Sequence, residues 1–138
     1  RERISEMLVG QGFNEILNNS LTRASYTDSI EGSEAGNVSI LNPLSSDLGI
    51  LRRSLLFGGL ETITWNQNRK SPDLRLFEFG SVYSRVADAA PGKLPYAEEF
   101  QLALWLTGRR QSESWNTTAN GAVQYQKHVL ENDKLRKV

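Results

Sequence analysis

Cysteine is missing from the 138 residues altogether. Neither a disulfide nor a thiolate metal site can form within them, which fits a reducing compartment. Histidine is almost missing: His128 is the single one, so a Ser/His/Asp triad or a histidine metal site has at most one member to draw on. Its neighbours Gln126 and Lys127 read as a solvated helix. Charge of one sign is missing in sum, because 16 basic and 16 acidic side chains cancel. No global field then draws the chain to nucleic acid or an anionic membrane, although a local basic patch stays open. No apolar run approaches the roughly 20 residues that a membrane-spanning helix needs, and Arg1-Glu2-Arg3-Ile4-Ser5-Glu6 carries no signal-peptide core. The expectation is a soluble cytoplasmic chain, long enough for one domain with a real core and too short for two.

What is present is concentrated in residues 42–83. Asn42-Pro43 closes the short β-branched run 38–41, since the residue before a proline is pushed toward extended geometry, and Ser45, Ser46 and Asp47 then form a polar turn. From Ser54, whose hydroxyl suits a first-turn N–H, Leu56, Leu60 and Ile63 recur at helical spacing, with Leu55 and Trp65 widening the stripe. The spacing predicts a helix over 55–68. Gly58 and Gly59 each cost about 1 kcal/mol against alanine inside it, which points to close backbone packing against another element. Pro72 enforces the stop. Residues 74–83 read as a strand covered on both sides, with Leu74, Leu76 and Val82 on one face and Phe77, Phe79 and Tyr83 on the other. Glu78 falls on the leucine and valine face, where a carboxylate must be paired, hydrogen-bonded or partly wet; Arg52 and Arg53 are the nearest cations in sequence.

Around this stretch, residues 1–9 place Ile4, Met7 and Leu8 on one helical face, with Gly10 and Gly12 as stops. Residues 13–22 alternate loosely and read as one strand. Residues 22–30 suit another short helix, 31–37 a loop, and 38–41 a strand that joins the sheet. Residues 84–98, rich in alanine, proline and glycine, read as a long loop. Residues 100–108 alternate cleanly, Phe100, Leu102, Leu104 and Leu106 against Gln101, Ala103, Trp105 and Thr107, and should run antiparallel to 74–83. Residues 116–121 read as a linker and 123–138 as a weak helical pattern through Val129, Leu130 and Leu135. The expected architecture is α+β, an antiparallel sheet with helices on one side.

The succession Asn42-Pro43-Leu44-Ser45, Leu51-Arg52-Arg53-Ser54-Leu55-Leu56-Phe57-Gly58-Gly59-Leu60, Asn66, and Leu76-Phe77-Glu78-Phe79-Gly80-Ser81-Val82-Tyr83 resembles the bacterial phenylalanyl-tRNA synthetase β subunit. The similarity is to its catalytic-like domain, a degenerate class II synthetase core. It covers the chain up to about Trp115, so 1–138 reads as a single domain fragment with a core over 1–115 and a poorly matched tail over 116–138. The resemblance implies that residues 1–22 correspond to motif 1, through which synthetase cores pack together, and makes Phe13, Ile16 and Leu17 the candidate subunit interface. It also implies that the segment before the central helix lies beside the strand carrying Glu78. Arg52 is then the expected partner, in an internal ion pair closing a vestigial site; Glu78 held instead by backbone N–H groups or solvent remains the alternative.

Working class II members, as the resemblance implies, hold ATP with a motif 2 arginine two residues before a glutamate and with a motif 3 arginine in a glycine-rich strand and helix. Here Arg75 precedes Glu78 by three, which puts them on opposite faces of a strand, and Gly108-Arg109-Arg110 lacks the glycine repeat. The magnesium site of the family belongs to a neighbouring upstream domain. The expectation is therefore a fragment with no catalytic, cofactor-binding or metal residue of its own. Its role would be structural: to support the α subunit of phenylalanine–tRNA ligase, a heterotetramer that charges tRNA(Phe) using ATP and magnesium, with tRNA reached through the holoenzyme and no membrane involved. Two other classes remain. An RNA-binding module would use Arg52-Arg53, Arg69-Lys70 and Arg109-Arg110 with Trp65, Trp105 and Trp115 as stacking planes, and would show salt-dependent tRNA binding. A stand-alone nucleotide-using enzyme would need a convergent polar pocket and would form an adenylate.

Overall fold

A computed structural model describes residues 1–29, 36–43, 45–86, 94–109 and 124–129. In chain order they form α1 (Glu2–Gly10), β1 (Asn14–Glu15), β2 (Leu21–Thr22), a first 3-10 turn (Ala24–Ser29), a second 3-10 turn (Ser46–Leu48), β3 (Ile50–Leu51), α2 (Leu56–Gln67), β4 (Leu74–Arg85), β5 (Tyr96–Thr107) and β6 (Gln124–Val129). The larger sheet has the order β1-β4-β5-β6, and β2 and β3 make a separate pair.

Local chemistry sets the element ends. At the end of α1, Gly12 takes φ +82°, its N–H reaches Val9 O and the Phe13 N–H reaches Leu8 O, a Schellman closure that also seats Phe13 against Leu8. The second 3-10 turn is capped by Ser45, whose hydroxyl accepts from the Asp47 N–H. Ser54 Oγ accepts from the Leu56 N–H at the head of α2. That helix ends with Lys70 N–H on Gln67 O and Ser71 N–H on Asn66 O, just before Pro72.

Both faces of β4 are apolar, and each recruits its own helix. Ile4 and Leu8 of α1 pack with Phe13, Phe77, Phe79 and Leu102 on one side. Ile63 of α2, with Leu55 beside it, packs with Leu76, Val82, Ala103 and Trp105 on the other. The helices therefore cover opposite faces of the sheet, which corrects the expectation of one helical side: a strand buried on both sides needs cover on both. The alternations of β4 and β5 assign residues to these two faces as their period of two requires.

Four boundaries differ from the sequence expectation. The run 13–22 is two strands in two sheets, with β1 parallel to β4 and β2 antiparallel to β3, so the main sheet is mixed. The chain leaves the ladder after Ile16 because Asn18 turns its N–H and its side-chain amide to Glu78. Residues 38–41 contribute a single bridge, Ser39 to Ile50, beside the small sheet. The β4–β5 ladder runs unbroken from Leu74↔Thr107 to Arg85↔Tyr96, so the stretch read as a loop over 84–98 supplies strand at both ends; backbone pairing tolerates the polar side chains there. Finally, β6 stands where a helix was expected. The free edge of β5 offers unpaired N–H and C=O groups, and 124–129 satisfies them from Gln101↔Val129 to Leu106↔Gln124. His128 thus lies on a strand opposite Leu102 in register, not on a helix. The linker at 116–121, Trp115 and Arg110 lie outside the described residues.

Candidate functional site: a buried carboxylate between the sheet and α2

Glu78 lies in the middle of β4 on the α2 side, fully buried, and Arg52 enters from the segment between β3 and α2, itself buried. Arg52 Nη1 stands 2.6 Å from Glu78 Oε1. The guanidinium also donates through Nε to Ser81 O at 3.0 Å and through Nη1 to Asn18 O at 3.4 Å. Two backbone bonds fix its approach: the Arg52 N–H to Ser20 O and the Tyr83 N–H to Arg52 O. Burial of a charge requires this degree of satisfaction, since a guanidinium or carboxylate left unpaired in the interior costs several kcal/mol.

The other carboxylate oxygen goes to Asn18. Its side-chain amide donates to Glu78 Oε2 at 2.8 Å, its N–H donates to Oε1 at 3.3 Å, and its own carbonyl oxygen Oδ1 accepts from Thr62 Oγ1 at 3.0 Å. The network therefore ties the exit of β1, the centre of β4 and the body of α2. Two glycines make room for it. A Cβ on Gly80 would overlap Arg52, and one on Gly58 would press on Asn18.

The residues singled out as a subunit interface do not share a surface. Phe13 is buried under α1 in the isolated chain, so it is core, a correction that follows from the Schellman turn folding it back on Leu8. Ile16 is half-buried against the opposite cluster. Leu17 is 86% exposed. Three neighbours diverge this way because the chain is leaving a strand there. The basic and aromatic residues weighed for RNA also separate. Arg52 is interior, Trp105 is buried and Trp65 is exposed with the Arg69 guanidinium 3.5 Å over its ring. Arg75, on the face opposite Glu78, donates to Gln11 O. Asn18 is the site residue that sequence reasoning missed; its one signal is a polar amide at the end of an apolar stretch, which does not name a partner 60 residues away. Among the described residues, no group of three or more acidic or histidine side chains is placed to hold a metal ion, and no helix is long and apolar enough to cross a membrane.

The arrangement of sheet and helices is that of class II aminoacyl-tRNA synthetase domains. A pyrrolysyl-tRNA synthetase from Desulfitobacterium hafniense superposes with a TM-score of 0.53 at 21% identity, covering 78% of this chain and 37% of that one. An ATP phosphoribosyltransferase regulatory subunit/histidyl-tRNA synthetase from Bacillus halodurans gives 0.58 at 19% identity, covering 79% and 27%.

Within that class, the chain belongs to the phenylalanyl-tRNA synthetase β chain CLM domain family, whose model matches residues 1–132. It is 51% identical over 134 residues to the phenylalanine–tRNA ligase β subunit of Bacteroides fragilis, covering 94% of this chain and 16% of that protein. Against the β subunit of Geobacter sulfurreducens it is 41% identical over 118 residues, covering 83% of this chain and 14% of that one. The chain thus spans about one-sixth of the length of these relatives.

Proposed function

We propose that this domain is a non-catalytic packing element of a β subunit, supporting the α subunit that charges tRNA(Phe) with phenylalanine using ATP, in a cytoplasmic heterotetramer. The observation that carries this reading is the fate of the Glu78 face. An active class II core would place an arginine and, two residues on, a glutamate on one strand face toward ATP. The residues that share the Glu78 face along β4 are Leu74, Leu76, Gly80, Val82 and Ser84, none of them an arginine, and the buried arginine beside it is already engaged by Glu78, Ser81 and Asn18. A nucleotide phosphate would have to displace a buried carboxylate from its cation. These residues do not fit ATP or magnesium, and no step of the reaction is assigned to them. Their physical role is to hold the chain after β1 against the sheet, so that Leu17 is presented outward for a partner subunit.

The test is phenylalanine-dependent exchange of pyrophosphate into ATP, measured on the β subunit before and after addition of the α subunit. The expected result is no exchange by β alone and full exchange by the pair. Exchange by β free of α overturns the packing role in favour of an enzyme. Salt-dependent tRNA binding by β that is lost on changing Arg69 and Lys70 overturns it in favour of an RNA module.

A further inference from the structure

The side of α2 turned away from the sheet carries a second, independent feature. Phe57, Leu60, Glu61 and Trp65 meet Tyr26 of the first 3-10 turn around an open groove of about 530 Å³. Its floor is built rather than incidental. The Tyr26 and Phe57 rings stack at 4.6 Å and 9°, and the Tyr26 hydroxyl donates to Glu61 Oε1. The Trp65 ring is fixed by the Arg69 guanidinium over one face and by the Arg69 hydrogen bond to Trp65 O. Yet the walls are left to water: Leu60 is 38% and Trp65 56% exposed. Glu61, exposed at the rim of these apolar groups, has the neutral Tyr26 hydroxyl as its partner and, among the described residues, forms no salt bridge.

We propose that this groove is a docking site for another segment of the same β subunit, one that brings a lysine or arginine to Glu61 and an apolar side chain onto Phe57, Leu60 and Trp65. The inference rests on the reading of the chain as a β-subunit domain. Charge complementarity selects the cation: a lone carboxylate beside apolar walls is matched by a basic group with an aliphatic stem, which covers the aromatic surface while its head meets the acid. Tethering selects the source. The chain covers 16% of a similar β subunit, so most of such a subunit is polypeptide tethered to this domain, and tethering raises the effective concentration of its segments at the groove.

The experiment places the photoreactive residue benzoylphenylalanine at Thr64, which also lines the groove, and in a second variant at Leu60, of the full-length β subunit, and maps the crosslinks by mass spectrometry in β alone and in the holoenzyme. The expected product is one dominant crosslink to a β-subunit peptide from outside this domain that contains a lysine or arginine. Adding Glu61→Lys should lower its yield about tenfold through like-charge repulsion, and Glu61→Gln by less. Crosslinks solely to the α subunit or to tRNA, no crosslink from either position, or a yield that Glu61→Lys leaves unchanged, each overturn the proposal. Association with α and pyrophosphate exchange, read on the same preparations, report separately on the packing role.

Discussion

Trp105 of β5 and Gly59 of α2 share one place in the core: the indole lies where a side chain on Gly59 would begin. Helix and sheet can approach this closely only because the helix lacks a Cβ at that turn, and the helix tolerates the glycine because burial of the largest core side chain more than offsets it. Gly59→Ala should therefore destabilise the domain by about 1–3 kcal/mol even though alanine is the better helix former, through overpacking against Trp105. Urea unfolding measures it. A neutral or stabilising alanine shows that the helix slides away freely and that the contact is not tight.

The Arg52–Glu78 pair makes a sharper statement. Removing one partner of a buried ion pair costs ~3–5 kcal/mol, whereas replacing both by fitted apolar groups is often close to neutral. Glu78→Gln or Arg52→Met should each destabilise strongly, and the double variant should recover much of the loss. Because Asn18 and Thr62 belong to the same network, the two changes must couple; strictly additive losses in the cycle would remove the ion pair from any account of the fold.

Leu17 and Phe13 should respond to the same substitution in opposite ways. Leu17→Asp alters a side chain that is 86% exposed and should leave the unfolding midpoint of the domain within about 0.5 kcal/mol of its original stability while weakening association with the α subunit. Phe13→Asp buries a charge beside Leu8 and Phe77 and should unfold the domain. Light scattering of the mixed subunits, with circular dichroism of each variant, separates the two. Unimpaired assembly of Leu17→Asp takes this surface out of the interface.

Tyr26 offers a pH readout of the α2 groove. Its hydrogen bond to Glu61 raises the phenol above its ordinary value, with partial burial and the Glu61 charge acting in the same direction. The neutral phenol is the form that the fold favours, so this contribution to stability is complete below the ordinary phenol value and is lost as the pH rises through the raised one. Ultraviolet difference titration against Tyr26→Phe should show Glu61→Gln moving the Tyr26 transition back down. An unmoved transition contradicts the contact.

Legibility in the sequence followed the range of the forces involved. Period-two alternation is a local property, and it placed Leu76 and Val82 on one face of β4 and Phe77 and Phe79 on the other, with β5 alternating to match. The end of α1 at Gly12 and the stop at Pro72 are equally local. The strand state of 124–129 is not legible in the sequence, because its apolar residues are few and it depends on the free edge of β5, a partner that its own composition does not announce. The need of Glu78 for a partner could be read from its neighbours. That Asn18 takes the second oxygen, that Gly80 clears the path for Arg52, and that Phe13, Ile16 and Leu17 end in three different environments were decided by the tertiary structure alone. Amino-acid order specifies which side chains must leave water, whereas the side of the sheet on which each element comes to rest depends on contacts between residues distant in sequence.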